Sequence, residues 1–215
     1  MPSVEQARSW YDSGDPVHGF DHVLRVYRMA RRLSEEEGAD AEILAAAALL
    51  HDVSGAAPAA RKDEPDERSN HEHASASFAR ELLLAEGWDE QRIEAVEHCI
   101  RAHRYRGEAE PRTLEAKILF DADKLDVVGA FGIARTLGYA NQAGQPAYAP
   151  VSEQFQRTGE LEDGEPHSAY HEYLYKLRNV RNRLYTDSAR QLAEAREKLM
   201  HTFFEQLKQE AEMGT

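Results

Sequence analysis

Residues 41–55 read AEILAAAALLHDVSG. The first ten are almost all Ala, Leu and Ile, which favours a helix that is apolar nearly all round. Such a helix belongs in the interior, so this one is expected at the centre of the fold. It runs straight into two ionisable neighbours, His51 and Asp52. Burying that pair is costly unless something inside offsets it. Adjacent residues on a regular helix diverge by about 100°. Both side chains therefore reach one point only at the helix end, and Gly55 is a suitable stop.

Working outward, helical periodicity continues on both sides and strand signals are nearly absent. Short and long helices are expected over 3–11, 19–37 (stopped by Gly38), 40–50 (N-capped by Asp40), 73–86, 89–103, 114–136, 168–183 and 188–212. Gly129 and Gly132 leave room for a bend or a close approach inside the sixth. The last helix carries Leu192, Leu199, Phe203 and Leu207 on one stripe. Two stretches rich in Pro, Gly and charge, 54–70 and 141–165, are expected as loops, placed to act as lids or specificity elements. The expectation is an all-α fold, one domain over 1–215, with its core motifs in 18–136 and C-terminal helices over 166–212.

Composition narrows the function. The chain of 215 residues is 41% hydrophobic and 30% charged, with a net charge of −13. Such a surface repels polynucleotides, and no basic stripe overrides it. A phosphorylated small molecule remains open if a metal or a local cluster of Arg and Lys supplies positive charge. No stretch has the apolar length of a bilayer span, and the first residues do not resemble a signal peptide. The single cysteine, Cys99, suits a reducing cytoplasm.

The informative residues are ionisable groups on apolar stripes. His51 shares a stripe with Leu44, Ala47 and Ala48, and His22 one with Val26, Met29 and Leu33. In KILFDADKLDVVGAFGIA, Asp123 falls with Leu119, Phe120 and Val127, and Asp121 with Leu114, Ile118 and Leu125. Taken singly, such a His is most often a hydrogen-bonded core residue. Such an Asp is most often a cap or an ion-pair partner, with Arg25 and Lys124 at hand. Taken together, three helices each turn an acid or an imidazole inward, which is what a divalent cation requires. Mixed N/O ligation suits Mn, Fe, Co, Ni or Zn, and a bound water would become a nucleophile near neutral pH.

His22, His51-Asp52 and Asp123 form an H…HD…D pattern. With HGFDHVLRVYRMA, ALLHDV and DADKLDVVGAFGIAR, and a final YTDSARQLAEAREKLMHTFFEQLKQE, the chain resembles the small, single-domain bacterial branch of the HD superfamily of metal-dependent phosphohydrolases. The resemblance spans most of the chain, and the block from Asp121 to Arg135 is its most specific part. It implies one divalent metal, Mn favoured, held by His22, His51, Asp52 and Asp123, with Asp121 the alternative last ligand; Asp121 otherwise, with Asp126 and Arg25, orders the ligands from behind. It also implies hydrolysis of a phosphoester or phosphoanhydride in a nucleotide or related molecule, with some similar proteins releasing pyrophosphate from nucleoside triphosphates.

The resemblance extends to catalysis, in which Asp52, His73 and His103 are expected to take part. In two-metal relatives, histidines at comparable places bind a second metal. Lys124, Arg135, Lys176 and Arg104 are candidate phosphate contacts, and Tyr139 and Tyr148 candidate stacking partners for a base. His98 is expected at a helix surface, and His18 and His71 at the periphery. Two alternatives stand beside the hydrolase: an HD-fold di-iron oxygenase, and a non-catalytic module that senses a nucleotide. Aromatic residues on the last helix are compatible with a homodimer.

Overall fold

The structure, a computed structural model, describes residues 1–11, 19–53, 71–104 and 109–213. Among the described residues ten α-helices run α1 (Val4–Arg8), α2 (Phe20–Glu37), α3 (Ala41–Leu50), α4 (His71–Ala85), α5 (Glu90–Ala102), α6 (Leu114–Asp126), α7 (Gly129–Gln142), α8 (Glu153–Thr158), α9 (Ala169–Tyr175) and α10 (Asp187–Glu212). A 3-10 helix, Leu177–Arg183, follows α9. The fold is all-α, with no strand among the described residues. The expected loop 54–70 and His18 lie outside the described residues. No described helix is long and apolar enough to cross a membrane.

Two compact units divide the chain: residues 1–124 with 185–189, and residues 125–184 with 190–215. In the first, α3 packs against α1, α2, α4 and α5, and every residue from Leu44 to Leu50 is buried. It is the central helix that its composition calls for. Each fully buried leucine contributes about 1.5–3 kcal/mol. Asp40 caps α3, accepting from the Glu42 and Ile43 amides, and Gly38 ends α2 with φ 76°. Each of these short-range signals is where the sequence puts it.

The second unit centres on α9 and the middle of α10. Tyr173 stacks on Phe204, ring centroids 4.4 Å apart. Ala193, Met200 and Phe204 form the buried stripe of α10, whereas Leu199 is 49% exposed. The expected stripe through Leu192, Leu199, Phe203 and Leu207 is thus one residue out of phase. Leu199-Met200 and Phe203-Phe204 are adjacent apolar pairs, so local pattern leaves the phase open and packing on α9 fixes it. The expected loop 141–165 contains α8, with Ser152 as its N-cap. Glu165 closes this segment, accepting from the Ser152 amide at 2.8 Å, the Ser152 hydroxyl at 2.7 Å and the Glu162 amide at 2.7 Å.

The helix expected over 114–136 is two helices. Gly129 takes φ 79°, a left-handed conformation that interrupts helical backbone. A Cβ on Gly132 would stand 2.2 Å from the Val127 carbonyl oxygen. Only a glycine lets the chain fold back this closely. Gly132→Ala is expected to lower stability by about 1–3 kcal/mol, the usual cost of overpacking, measured by urea denaturation. An unchanged midpoint would refute the close approach.

Candidate metal centre

Four imidazoles and two carboxylates meet in the first unit. His22 comes from the first turn of α2, His51 and Asp52 from the end of α3, and Asp123 from α6. His71 opens α4, and His103 is the C-cap of α5. His51 is fully buried, and His22, Asp52, Asp123 and His103 are buried with it. The rings of His22, His51, His103 and His71 follow one another at centroid distances of 5.5, 5.1 and 5.7 Å.

Asp52 faces both ways. Its Oδ2 lies 3.7 Å from His22 Nε2 and 3.6 Å from His51 Nε2, and its Oδ1 lies 3.4 Å from both His71 Nε2 and His103 Nε2. Asp123 Oδ1 stands 3.4 Å from His22 Nε2. Among the described residues two ligand sets result: His22, His51 and Asp123, and Asp52, His71 and His103. These separations are long for hydrogen bonds. They match two ligands of one ion, which lie about 3.4 Å apart when each is about 2.1 Å from a tetrahedral cation.

His51 provides the sharper test of fit. Its Nδ1 is 2.8 Å from the Ala48 carbonyl oxygen, so that nitrogen carries the hydrogen and Nε2 presents a lone pair. Nε2 is buried and has no hydrogen-bond partner among the described residues. A lone pair aimed at a carboxylate is repelled unless a proton or a cation lies between. Burial pushes the His51 pKa down to about 4, against the pull of Asp52, so a proton is disfavoured near neutral pH. Burial also opposes the charge on Asp52, yet His51, His103 and His71 hold its carboxyl well below the usual range. The same burial at Asp123 is outweighed by Lys124, then His22. Neutral imidazole beside ionised carboxylate is the donor set a divalent transition metal takes. His103 Nδ1, 2.5 Å from the Ile100 carbonyl oxygen, fixes that ring in the same sense.

The two candidate aspartates of α6 part here. Asp121, fully buried, accepts from the Tyr185 amide and the Thr186 amide at 2.8 Å and from the Thr186 hydroxyl at 2.7 Å. It anchors the start of α10, while Asp123 joins the ligand cluster. Likewise His71 and His73 exchange their expected places. His71 continues the buried Ser75 and Ala79 stripe of α4 and reaches Asp52. His73, about 200° round the helix from His71, is exposed and belongs to neither ligand set. The i, i+4 spacing of His71, Ser75 and Ala79 was the sequence signal for it.

The expected phosphate contacts are engaged by acids. Lys124, buried, pairs with Asp123. Arg104 meets both oxygens of buried Glu72, at 3.0 and 3.1 Å. In the second unit Arg135 pairs with Asp126 at 2.6 Å and Lys176 with Glu172 at 2.9 Å. His98 accepts from the Arg112 amide at 3.1 Å, a structural role. Tyr148 donates to Glu212 at 2.5 Å, and Tyr139 is 41% exposed. Arg25 is half-buried on α2.

One further residue had no sequence signal. Tyr11, just past α1, donates its phenol hydrogen to the Leu49 carbonyl oxygen at 2.8 Å.

The HD domain model matches residues 19–128, which include every residue of both ligand sets. An uncharacterized protein of Bacillus subtilis (strain 168), YpgQ, is 31% identical over 218 residues, covering 98% of this chain and 94% of that one. The crystal structure of YpgQ in complex with ADP superposes with a TM-score of 0.71 at 29% identity, covering 97% of each chain. An HD-superfamily hydrolase from Bacillus thuringiensis gives 0.68 at 28% identity, covering 96% of this chain and 92% of that one.

Proposed function

Since the chain belongs to the HD domain family, we propose that it is a metal-dependent hydrolase of phosphoester or phosphoanhydride bonds in a nucleotide or related small phosphorylated molecule. The observation that carries this reading is the unpaired, lone-pair-bearing Nε2 of His51 between two ionised carboxylates. A divalent metal, Mn favoured, held by His22, His51, Asp52 and Asp123, would supply an activated water and neutralise phosphoryl oxygens. The ADP held by the YpgQ crystal structure supports a nucleotide as ligand.

The residues around the metal divide the remaining work. Lys124 holds Asp123 by one oxygen and leaves the other facing His22. Asp52 orients the reacting water. His103, its Nδ1 hydrogen committed to Ile100, presents the Nε2 lone pair, which would accept the proton released by the reacting water and return it to the leaving oxygen. Arg104, paired with buried Glu72, holds that carboxylate beside His71.

A panel of nucleoside di- and triphosphates with added Mn²⁺, assayed for phosphate and pyrophosphate, tests this directly. Pyrophosphate from at least one triphosphate is the expected result. Tight nucleotide binding with no hydrolysis of any member would favour the sensing module instead. The Asp52, His71 and His103 set supports a second reading at the level of metal number, two cations sharing Asp52. Two irons per chain, with oxygen consumed, would favour the oxygenase.

A further inference from the structure

We propose that Tyr11 is a positioning residue for the metal centre, tying the end of α3 to the first segment of the chain and so fixing the direction in which Asp52 offers its carboxylate. This rests on reading the His and Asp clusters as a metal centre. The last carbonyls of a helix lack partners within it. At the end of α3 they are taken one by one. Ala48 O receives the His51 ring hydrogen, Leu49 O the Tyr11 phenol, and Leu50 O the Val53 amide at 3.4 Å. The phenol bond is the one that comes from a distant part of the sequence, 38 residues away. Asp52 sits in the turn that these bonds hold.

Packing brings the parts together, and the hydrogen bond gives them direction. Ala7, Tyr11, Phe20, Val23, Leu49 and Val53 form one buried cluster, against which Trp10 and Phe78 also pack. Tyr11 lies 5.9 Å from Phe20, and Trp10 meets Phe78 edge-on at 5.5 Å. Phe20 precedes His22 by two residues, and Leu49 precedes His51 by two. One apolar cluster therefore registers the two helix ends that carry ligands. Apolar burial is non-directional, whereas a metal site tolerates only fractions of an ångström of error in its ligands. The 2.8 Å bond from Tyr11 to Leu49 adds the direction. Burial, then the Asp52 charge, raises the phenol pKa well above its ordinary value, which keeps it a donor.

Tyr11→Phe keeps the ring and removes the bond. Titrated with Mn²⁺ by calorimetry, this variant is expected to bind about 10-fold more weakly than the parent, the lower range for losing a group that orients a ligand, with its helical circular dichroism unchanged. Val4→Ala, at a residue that packs against the cluster from outside and adjoins no ligand, serves as the control. It loosens the same cluster but keeps the phenol bond, and is expected to lose thermal stability while retaining Mn²⁺ affinity. Parental affinity in Tyr11→Phe overturns the proposal. So does equal weakening in both variants, since that reports general loosening. Phosphate release is measured separately. Weakened Mn²⁺ binding in a chain that hydrolyses no nucleotide keeps the positioning role and removes the hydrolase reading. Hydrolysis with unaltered Mn²⁺ affinity does the reverse. A parent chain that takes up no Mn²⁺ overturns both.

Discussion

Asp52→Ala is expected to abolish metal-dependent hydrolysis, lowering turnover by more than about 100-fold, beyond the loss seen for groups one shell further out. The reason is that its two oxygens serve both ligand sets, Oδ2 towards His22 and His51 and Oδ1 towards His71 and His103. Among the described residues no neighbouring carboxylate stands in: Asp121 is committed to Tyr185 and Thr186, Glu72 is paired with Arg104, and Asp123 already belongs to the cluster. The helical fold should survive, because a buried carboxylate contributes binding chemistry at the cost of desolvation. Metal content by mass spectrometry and turnover with Mn²⁺, each beside circular dichroism, check this. Parental turnover in a folded Asp52→Ala chain would remove the metal centre from the mechanism.

Acid is expected to destabilise the metal-free chain well above the range of ordinary carboxylates. His51 has an ordinary value of 6.5 and a folded value of about 4, lowered by burial. Between those values the unfolded chain binds a proton that the folded chain refuses, so stability falls as pH drops from about 6.5 towards 4. The full shift corresponds to about 3 kcal/mol. Asp52 and Asp123, whose folded values are also lowered, contribute stability that is present above 3.8 and lost as pH falls through their folded values. Urea denaturation at pH 4.5 and 7 measures the first window. His51→Leu, which cannot titrate, is expected to flatten the dependence there. Equal stability of the parent at both pH values would show that His51 is not held neutral by burial.

Much of the centre was legible in the sequence. His22, His51 and Asp123 interrupt apolar stripes, and a stripe of period 3.6 fixes which side of a helix faces the core. His51 and Asp52 were expected to close the central helix facing inward, and both are buried at its end. His71 was missed because the choice between two histidines in the first turn of α4 depends on how that turn seats against Asp52. The break between α6 and α7 was missed in part. Glycine marks where the chain is free to bend, and only the approach of the Val127 carbonyl shows that it does.

The sequence by itself determined the all-α class, the central position of α3, its Asp40 cap and the helices that carry the inward-facing acids and imidazoles. These are local properties, set by periodicity, propensity and capping within a few residues. Tertiary structure alone decided which polar groups converge. It assigned Asp123 to the cluster and Asp121 to the start of α10, brought His71 to Asp52, set the phase of α10, and carried the Tyr11 phenol to Leu49. Each of these brings residues distant in sequence into direct contact, and local pattern carries no information on that distance.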